Sequence, residues 1–265
     1  MIVVDARTIP CLLLSNGGLY KTTRFAEPVY LGDPINIVRI FNEKEVDELC
    51  LLDIEACKSG RPPDFDVIRE IVSECFMPVS YGGGISTLDH CARLISSGIE
   101  KLVINSALGE RPEFALEVAN MFGRQSVVAS IDVRAGPDGR YSVWTHGATR
   151  DTGVDPVGYA SRLERFGVGE ILLNAVDRDG TREGYDLALV RSVSSAVQVP
   201  VIACGGASSL DDLAAVIVDG HATAAAAGSL FVFYGRRRAV LINPPTYDEF
   251  QAAVAERWHA RNGCA

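Results

Sequence analysis

One segment of this chain is written twice. PVSYGGGISTLDH, starting at Pro78, returns as PVIACGGASSLDD from Pro200, an offset of 122 in 265 residues. The same offset pairs Gly84 with Gly206 and Leu108 with Leu230, and LLDIEACKSGRPPDFD (from Leu51) parallels LLNAVDRDGTREGYD (from Leu172). A solenoid needs more and shorter repeats, so the period points to two halves of like fold. Within them, short apolar runs alternate with amphipathic stretches. The runs are TIPCLLL, ELCLLDI, MPVSYGG, KLVINSA, SVVASIDV, EILLNAVD, VPVIACGG and TAAAAGS; the stretches include PDFDVIREIVSECF, TLDHCARLISSG, RPEFALEVANMFG, DPVGYASRLERFG and DLALVRSVSSAV. Strands buried on both faces read as continuous apolar runs. Eight strand–helix units in about 250 residues are the arithmetic of an α/β (β/α)8 TIM barrel, here with a twofold half-barrel repeat. A doubly wound sheet is the second choice, and the G-x-G-x-x-G turn it commonly carries after its first strand is absent. No linker or shift in composition divides the chain, so residues 1–265 are expected to form a single domain.

The chain is 48% hydrophobic with a net charge of -9. That balance supplies a core and argues against non-specific nucleic-acid binding, which needs a basic footprint. No apolar run is long enough to span a bilayer, and MIVVDARTIP has neither a basic region nor a long apolar one, so no signal peptide is expected. The seven cysteines, Cys11, Cys50, Cys57, Cys75, Cys91, Cys204 and Cys264, include no C-x-x-C pair. They are expected to be free thiols of a cytoplasmic protein. The four histidines are scattered; neither metal nor cofactor is expected.

In a barrel the strand C-termini and the loops after them form the functional face. YGGGIS and CGGASS end two strands there, and glycine lets backbone amides approach a phosphate. Asn105-Ser106 in one half and Gly228-Ser229 in the other would complete two related pockets, suited to a ligand phosphorylated at each end. Asp53, Asp132, Asp177 and Asp179 lie at the same level and are candidates for acid–base work. At the opposite face four strands begin with charges: Arg7, Glu48, Lys101 and Glu170. Read singly they are solvated strand ends; read together they form a closed ring over the barrel floor. Because side chains alternate along a strand, Arg7 and Leu13 share a side, with Ile9 and Cys11 between them.

The segments DELCLLDI, YGGGIS, KLVINSA, SIDV, THGATRDTG, GEILLNAVDRDGTREGYDL and VIACGGA resemble the cyclase subunit of imidazole glycerol phosphate synthase, from about Arg7 to Phe233. The resemblance implies a (β/α)8 barrel that takes ammonia from a glutaminase partner docked at its floor and uses it on a ligand with two phosphates. It maps phosphate contacts onto Gly84, Asn105, Ser106, Asp179, Gly180, Gly206, Gly228 and Ser229. It maps an ammonia gate onto Arg7, Glu48, Lys101 and Glu170, a mobile-loop lysine onto Lys21, and one of two catalytic aspartates onto Asp132. The other aspartate, in the family pattern PCLDV, falls where this chain has Leu13.

PCLLLSNGG, GDPINIVRIFNEKEVDEL and GSLFVFYGRRRAVLIN resemble a side branch of that family, associated with amidation of sugars in surface polysaccharide biosynthesis. The branch implies a synthase subunit working with a glutaminase-like amidotransferase subunit and a sugar amidotransferase, passing ammonia on. Two alternatives stand beside it: an active cyclase that replaces Leu13 with another acid, Asp53 or Asp177, and a non-catalytic scaffold that activates the glutaminase. Arg236, Arg237 and Arg238 form a basic cluster near the end, after which YDEFQAAVAERWHARNG reads as a terminal helix.

Overall fold

The computed structural model describes residues 6–235 and 237–263, and of Cys57 only the backbone. Arg236, Cys264 and the Cys57 thiol therefore lie outside the described residues. All eight expected strands form: β1 Arg7–Ser15, β2 Leu49–Asp53, β3 Val79–Gly82, β4 Lys101–Ile104, β5 Val127–Ala135, β6 Glu170–Ala175, β7 Val201–Cys204 and β8 Ala224–Ala227. Each pairs in parallel with its neighbours, and pairing of β8 with β1 and of β5 with β6 closes the cylinder. The chain is a (β/α)8 barrel.

Alternation along the strands divides the apolar side chains in two. Leu12, Leu14, Leu51 and Tyr81 face outward into the layer beneath the helices. Ile9, Cys11, Leu13, Cys50, Val103, Val128, Leu172, Ile202 and Cys204 fill the lumen. The leucine run that ends β1 therefore sends only Leu13 toward the barrel mouth. Outside, most barrel helices start at a short polar residue whose side chain accepts from the amide three residues on: Asp33 for Pro34–Glu43, Asp64 for Phe65–Ser73, Thr87 for Leu88–Ser96, Asp155 for Pro156–Arg165 and Asp186 for Leu187–Ser194. Each such cap contributes about 1 kcal/mol. The terminal helix, Tyr247–Asn262, opens with a Thr246/Glu249 capping box and packs on Leu210–Val218, where Arg257 pairs with Asp219 at 2.5 Å. Among the described residues no helix is long and apolar enough to cross a membrane.

Two hairpins were not anticipated from the sequence. β1 runs through Ser15 and turns back at Asn16-Gly17 into Gly18–Thr23, which pairs antiparallel with β1 and then with Ala26–Gly32. Both turn residues have positive φ, 47° and 76°, the conformation a two-residue hairpin loop requires and Asn-Gly favours. β5, which stands in the second half where β1 stands in the first, is likewise nine residues long and continues into Tyr141–Thr145 and Arg150–Asp151. The first strand of each half thus rises above the rim.

Candidate functional site

At the strand N-termini Arg7, Glu48, Lys101 and Glu170 converge. The Arg7 guanidinium donates to Glu48 Oε2 at 2.8 Å and to Glu170 Oε1; Lys101 Nζ donates to Glu48 Oε2 at 2.8 Å and Glu170 Oε2 at 2.9 Å. Charges alternate around this closed cycle, so each carboxylate is shared by two cations. The glutamates are buried, whereas the Arg7 side chain is 32% exposed on the outer face. Burial works against the Arg7 charge, but Glu170 and Glu48 outweigh it and hold its pKa above the ordinary value. Directly above the ring the lumen is lined by apolar groups and thiols.

The lumen ends in a cavity of about 290 Å³ at the mouth. All eight residues mapped as phosphate contacts line it, together with Leu13, Lys21 and Asp132. The repeat is visible in its walls. A Cβ on Gly84 would meet the Arg61 carbonyl oxygen at 2.6 Å, and one on Gly206 would meet that of Gly184 at 2.2 Å. Both glycines have positive φ, 68° and 110°, so each half brings bare backbone to the cavity at a point where no side chain fits. The short helices Ser106–Glu110 and Ser229–Val232 begin at Asn105 and Gly228 with nearly equal dihedrals; the Asn105 side chain does not bond the helix start and Gly228 has none to do so.

β1 and β5 stand four strands apart in either direction, so Leu13 and Asp132 belong to opposite walls of the cavity. Asp132 is buried and its Oδ2 accepts from Asn105 Nδ2 at 3.3 Å. Burial raises its pKa to about 7; the charges of Asp179 and Cys11 add to the shift and Arg134 opposes it. Lys21 is also buried. Its Nζ donates to the Cys11 carbonyl at 2.7 Å, and its chain lies across Gly228. Thr22 Oγ1 donates to Asp179 Oδ2 at 3.0 Å and the Arg24 amide to the Asp179 carbonyl at 2.9 Å, so the first hairpin is latched to the loop after β6.

The two acids considered as substitutes at Leu13 are engaged elsewhere. Asp53 accepts from the Glu55 and Ala56 amides and is held by Arg61 Nη2 at 3.0 and 2.8 Å. Asp177 accepts from the Ala135 amide at 2.8 Å and does not line the cavity. The free thiols are largely buried as expected, Cys75 being only partly so. Among the cavity residues that escaped the sequence reading are Lys58, Ser130, His146 and Asn174. Asn174 is 5% exposed, and its Oδ1 has no hydrogen-bond partner. At the 122-residue offset it aligns with Leu52, a polar-for-apolar exchange at an inward position that is hidden when LLNA is laid on LLDI, which sets Asn174 on Asp53. Among the described residues no group of three or more His, Cys, Asp or Glu side chains is arranged to hold a metal ion.

Fold and site together define a duplicated (β/α)8 barrel with an ion-pair ring at one end and a ligand-sized cavity at the other. The model of the histidine biosynthesis protein family matches residues 7–237. A Pseudomonas aeruginosa protein provisionally named imidazole glycerol phosphate synthase subunit hisF2 is 53% identical over 243 residues, covering 92% of this chain and 97% of the relative. Provisionally named HisF subunits of Leptospira interrogans (45% over 251 residues, 94% and 99%) and Vibrio vulnificus (hisF3, 43% over 253 residues, 95% and 97%) are similar as well. The chain belongs to the histidine biosynthesis protein family and to its HisF-like, imidazole glycerol phosphate synthase cyclase group.

Proposed function

We propose that this chain, acting as one barrel domain, is the synthase-side subunit of a glutamine amidotransferase pair. A glutaminase docks at the floor, the ring of Arg7, Glu48, Lys101 and Glu170 gates ammonia into the lumen, and the mouth cavity holds a phosphorylated ligand or hands ammonia to a sugar amidotransferase. Gly84, Asn105, Ser106, Asp179, Gly180, Gly206, Gly228 and Ser229 bind phosphate, and Lys21 closes over it. The observation that carries this reading is the closed ring opening onto an apolar lumen that ends in the cavity. Ammonia crosses such a path as NH₃, because a bare ammonium in an apolar interior is far too costly. Leu13 keeps the exit dry and leaves Asp132 as a lone acid. Loss of one of a pair of acid–base groups costs roughly 10²–10⁴-fold in rate, so the proposed role is delivery of ammonia for sugar amidation in surface polysaccharide biosynthesis.

The second reading, an active cyclase of histidine biosynthesis, is favoured by one observation: a carboxyl with a pKa of about 7 suits proton transfer near neutrality. The substrate of imidazole glycerol phosphate synthase, supplied with excess ammonium salt, separates the two. Turnover by the native chain is expected to be roughly 10²–10⁴-fold below that of Leu13→Asp. Equal turnover overturns the delivery reading. Stimulation of the cognate glutaminase without ammonia transfer would reduce the chain to a scaffold.

A further inference from the structure

Three thiols share the lumen between the ring and the mouth. Cys11 on β1, Cys50 on β2 and Cys204 on β7 are all buried in the lumen cluster. The Cys11 thiol packs among those of Cys204 and Cys50 in that cluster, and the Lys21 ammonium donates to the Cys11 carbonyl oxygen. Cys11 and Cys204 line the mouth cavity, so a small solute there reaches Cys11; Cys50 lies outside the cavity lining.

Register decides which pair can be joined. Cys11 and Cys50 are Cα partners on adjacent parallel strands, both facing inward. Adjacent strands lie about 4.8 Å apart, inside the roughly 4.4–6.8 Å Cα separation of a disulfide. β8 stands between β7 and β1, so Cys204 is about twice as far from Cys11, beyond the limit of about 7 Å. We infer that Cys11 is a peroxide-oxidisable thiol and that Cys50 resolves it, closing a Cys11–Cys50 disulfide across the first two strands.

The surroundings divide the labour. Hydrogen bonds from Cys204 and Cys50 hold the Cys11 pKa well below that of an ordinary thiol, against the effect of burial and with help from Lys21. The same bonds, with burial, push Cys50 and Cys204 well up. The thiol most disposed to ionise thus stands among other thiols and beside a cation, the setting of reactive cysteines. The Cys11 thiolate attacks a peroxide oxygen, the O–O bond breaks, and Cys11 sulfenic acid and hydroxide form. The Cys50 sulfur then attacks the Cys11 sulfur; the S–S bond forms, the S–O bond breaks, and the oxygen leaves as water with the Cys50 proton. Two thiols are oxidised and one hydrogen peroxide is reduced to two waters. If the conduit reading holds, the bridge lies in the ammonia path and shuts it.

The full chain is treated with hydrogen peroxide, remaining thiols are alkylated after denaturation, and the peptides are mapped. A Cys11–Cys50 cross-linked peptide, reversed by dithiothreitol, is expected. It should form before Cys75, whose thiol burial pushes up to about 11, is oxidised. In Cys50→Ser, dimedone should trap Cys11 as sulfenic acid, and Cys204→Ala should slow Cys11 oxidation roughly tenfold at pH 7. The mapping of the native chain needs no variant to fold. Reduced Cys11 beside oxidised Cys75, or a bridge to Cys204, overturns the inference. A bridge that forms without slowing glutamine-dependent ammonia transfer leaves the disulfide standing and overturns the conduit beneath it.

Discussion

Asp132 is a carboxyl that the fold prefers to keep neutral. Its folded pKa of about 7 lies above the unfolded value of 3.8, so the folded chain binds the extra proton between those limits. Its contribution to stability is fully present below pH 4 and is lost as pH rises through about 7. Asp132→Asn, neutral throughout, is expected to match the native chain near pH 4 and to exceed it increasingly up to about pH 8. The gain is at most about 4 kcal/mol, read by urea denaturation at both ends of the range. A constant difference across pH would mean that the carboxyl is not held neutral. Sequence alone singled out Asp132 as an acid at a strand end. The shift itself arises first from burial and then from groups that only the closed barrel gathers around it, Asp179 from the loop after β6 and Cys11 from β1.

The hairpin after β1 is one of two elements that the sequence did not announce: Asn16-Gly17 is legible as a turn, but the strands that follow it are not. Its alternation was masked because Gly18–Thr23 is almost wholly buried beneath the rim, whereas Ala26–Tyr30 is exposed. Beyond its ladder with β1, the hairpin is fastened to the loop after β6 through Thr22 and Arg24. Gly180→Ala would place a Cβ 2.2 Å from the Thr22 carbonyl oxygen, a backbone atom with little room to move. Thr22→Val removes only the bond to Asp179, worth about 1 kcal/mol. Limited proteolysis within residues 18–32 is expected to accelerate strongly in Gly180→Ala and modestly in Thr22→Val. Equal resistance in both would mean that the latch does not hold the hairpin.

Across the whole molecule the floor ring ties β1, β4, β6 and the residue preceding β2, partners 41 to 163 positions apart in sequence. Glu48→Gln leaves two cations sharing Glu170. Breaking a buried pair from one side costs about 3–5 kcal/mol; with Arg7 a third exposed, roughly 2–3 kcal/mol is expected here. Arg39→Ala, which removes the exposed Arg39–Glu74 pair, should cost much less, because solvent screens such a pair. Chemical denaturation of both variants checks the contrast, and equal losses would show that the ring is no more than a set of solvated strand ends.

The sequence by itself determined the barrel. Eight continuous apolar runs and the amphipathic stretches between them are local patterns that single chain segments carry, and the 122-residue repeat shows that they come in two like halves. The sequence also set the four charges at strand starts and the glycine-rich strand ends at the mouth, while the full set of cavity residues came from the family resemblance. Tertiary structure alone decided that those charges close into one ring, that Asp53 and Asp177 are engaged away from Leu13, and that Cys11 lies level with Cys50. These depend on register between strands far apart in sequence, and register is fixed only when the sheet closes and every inward side chain competes for the same axis.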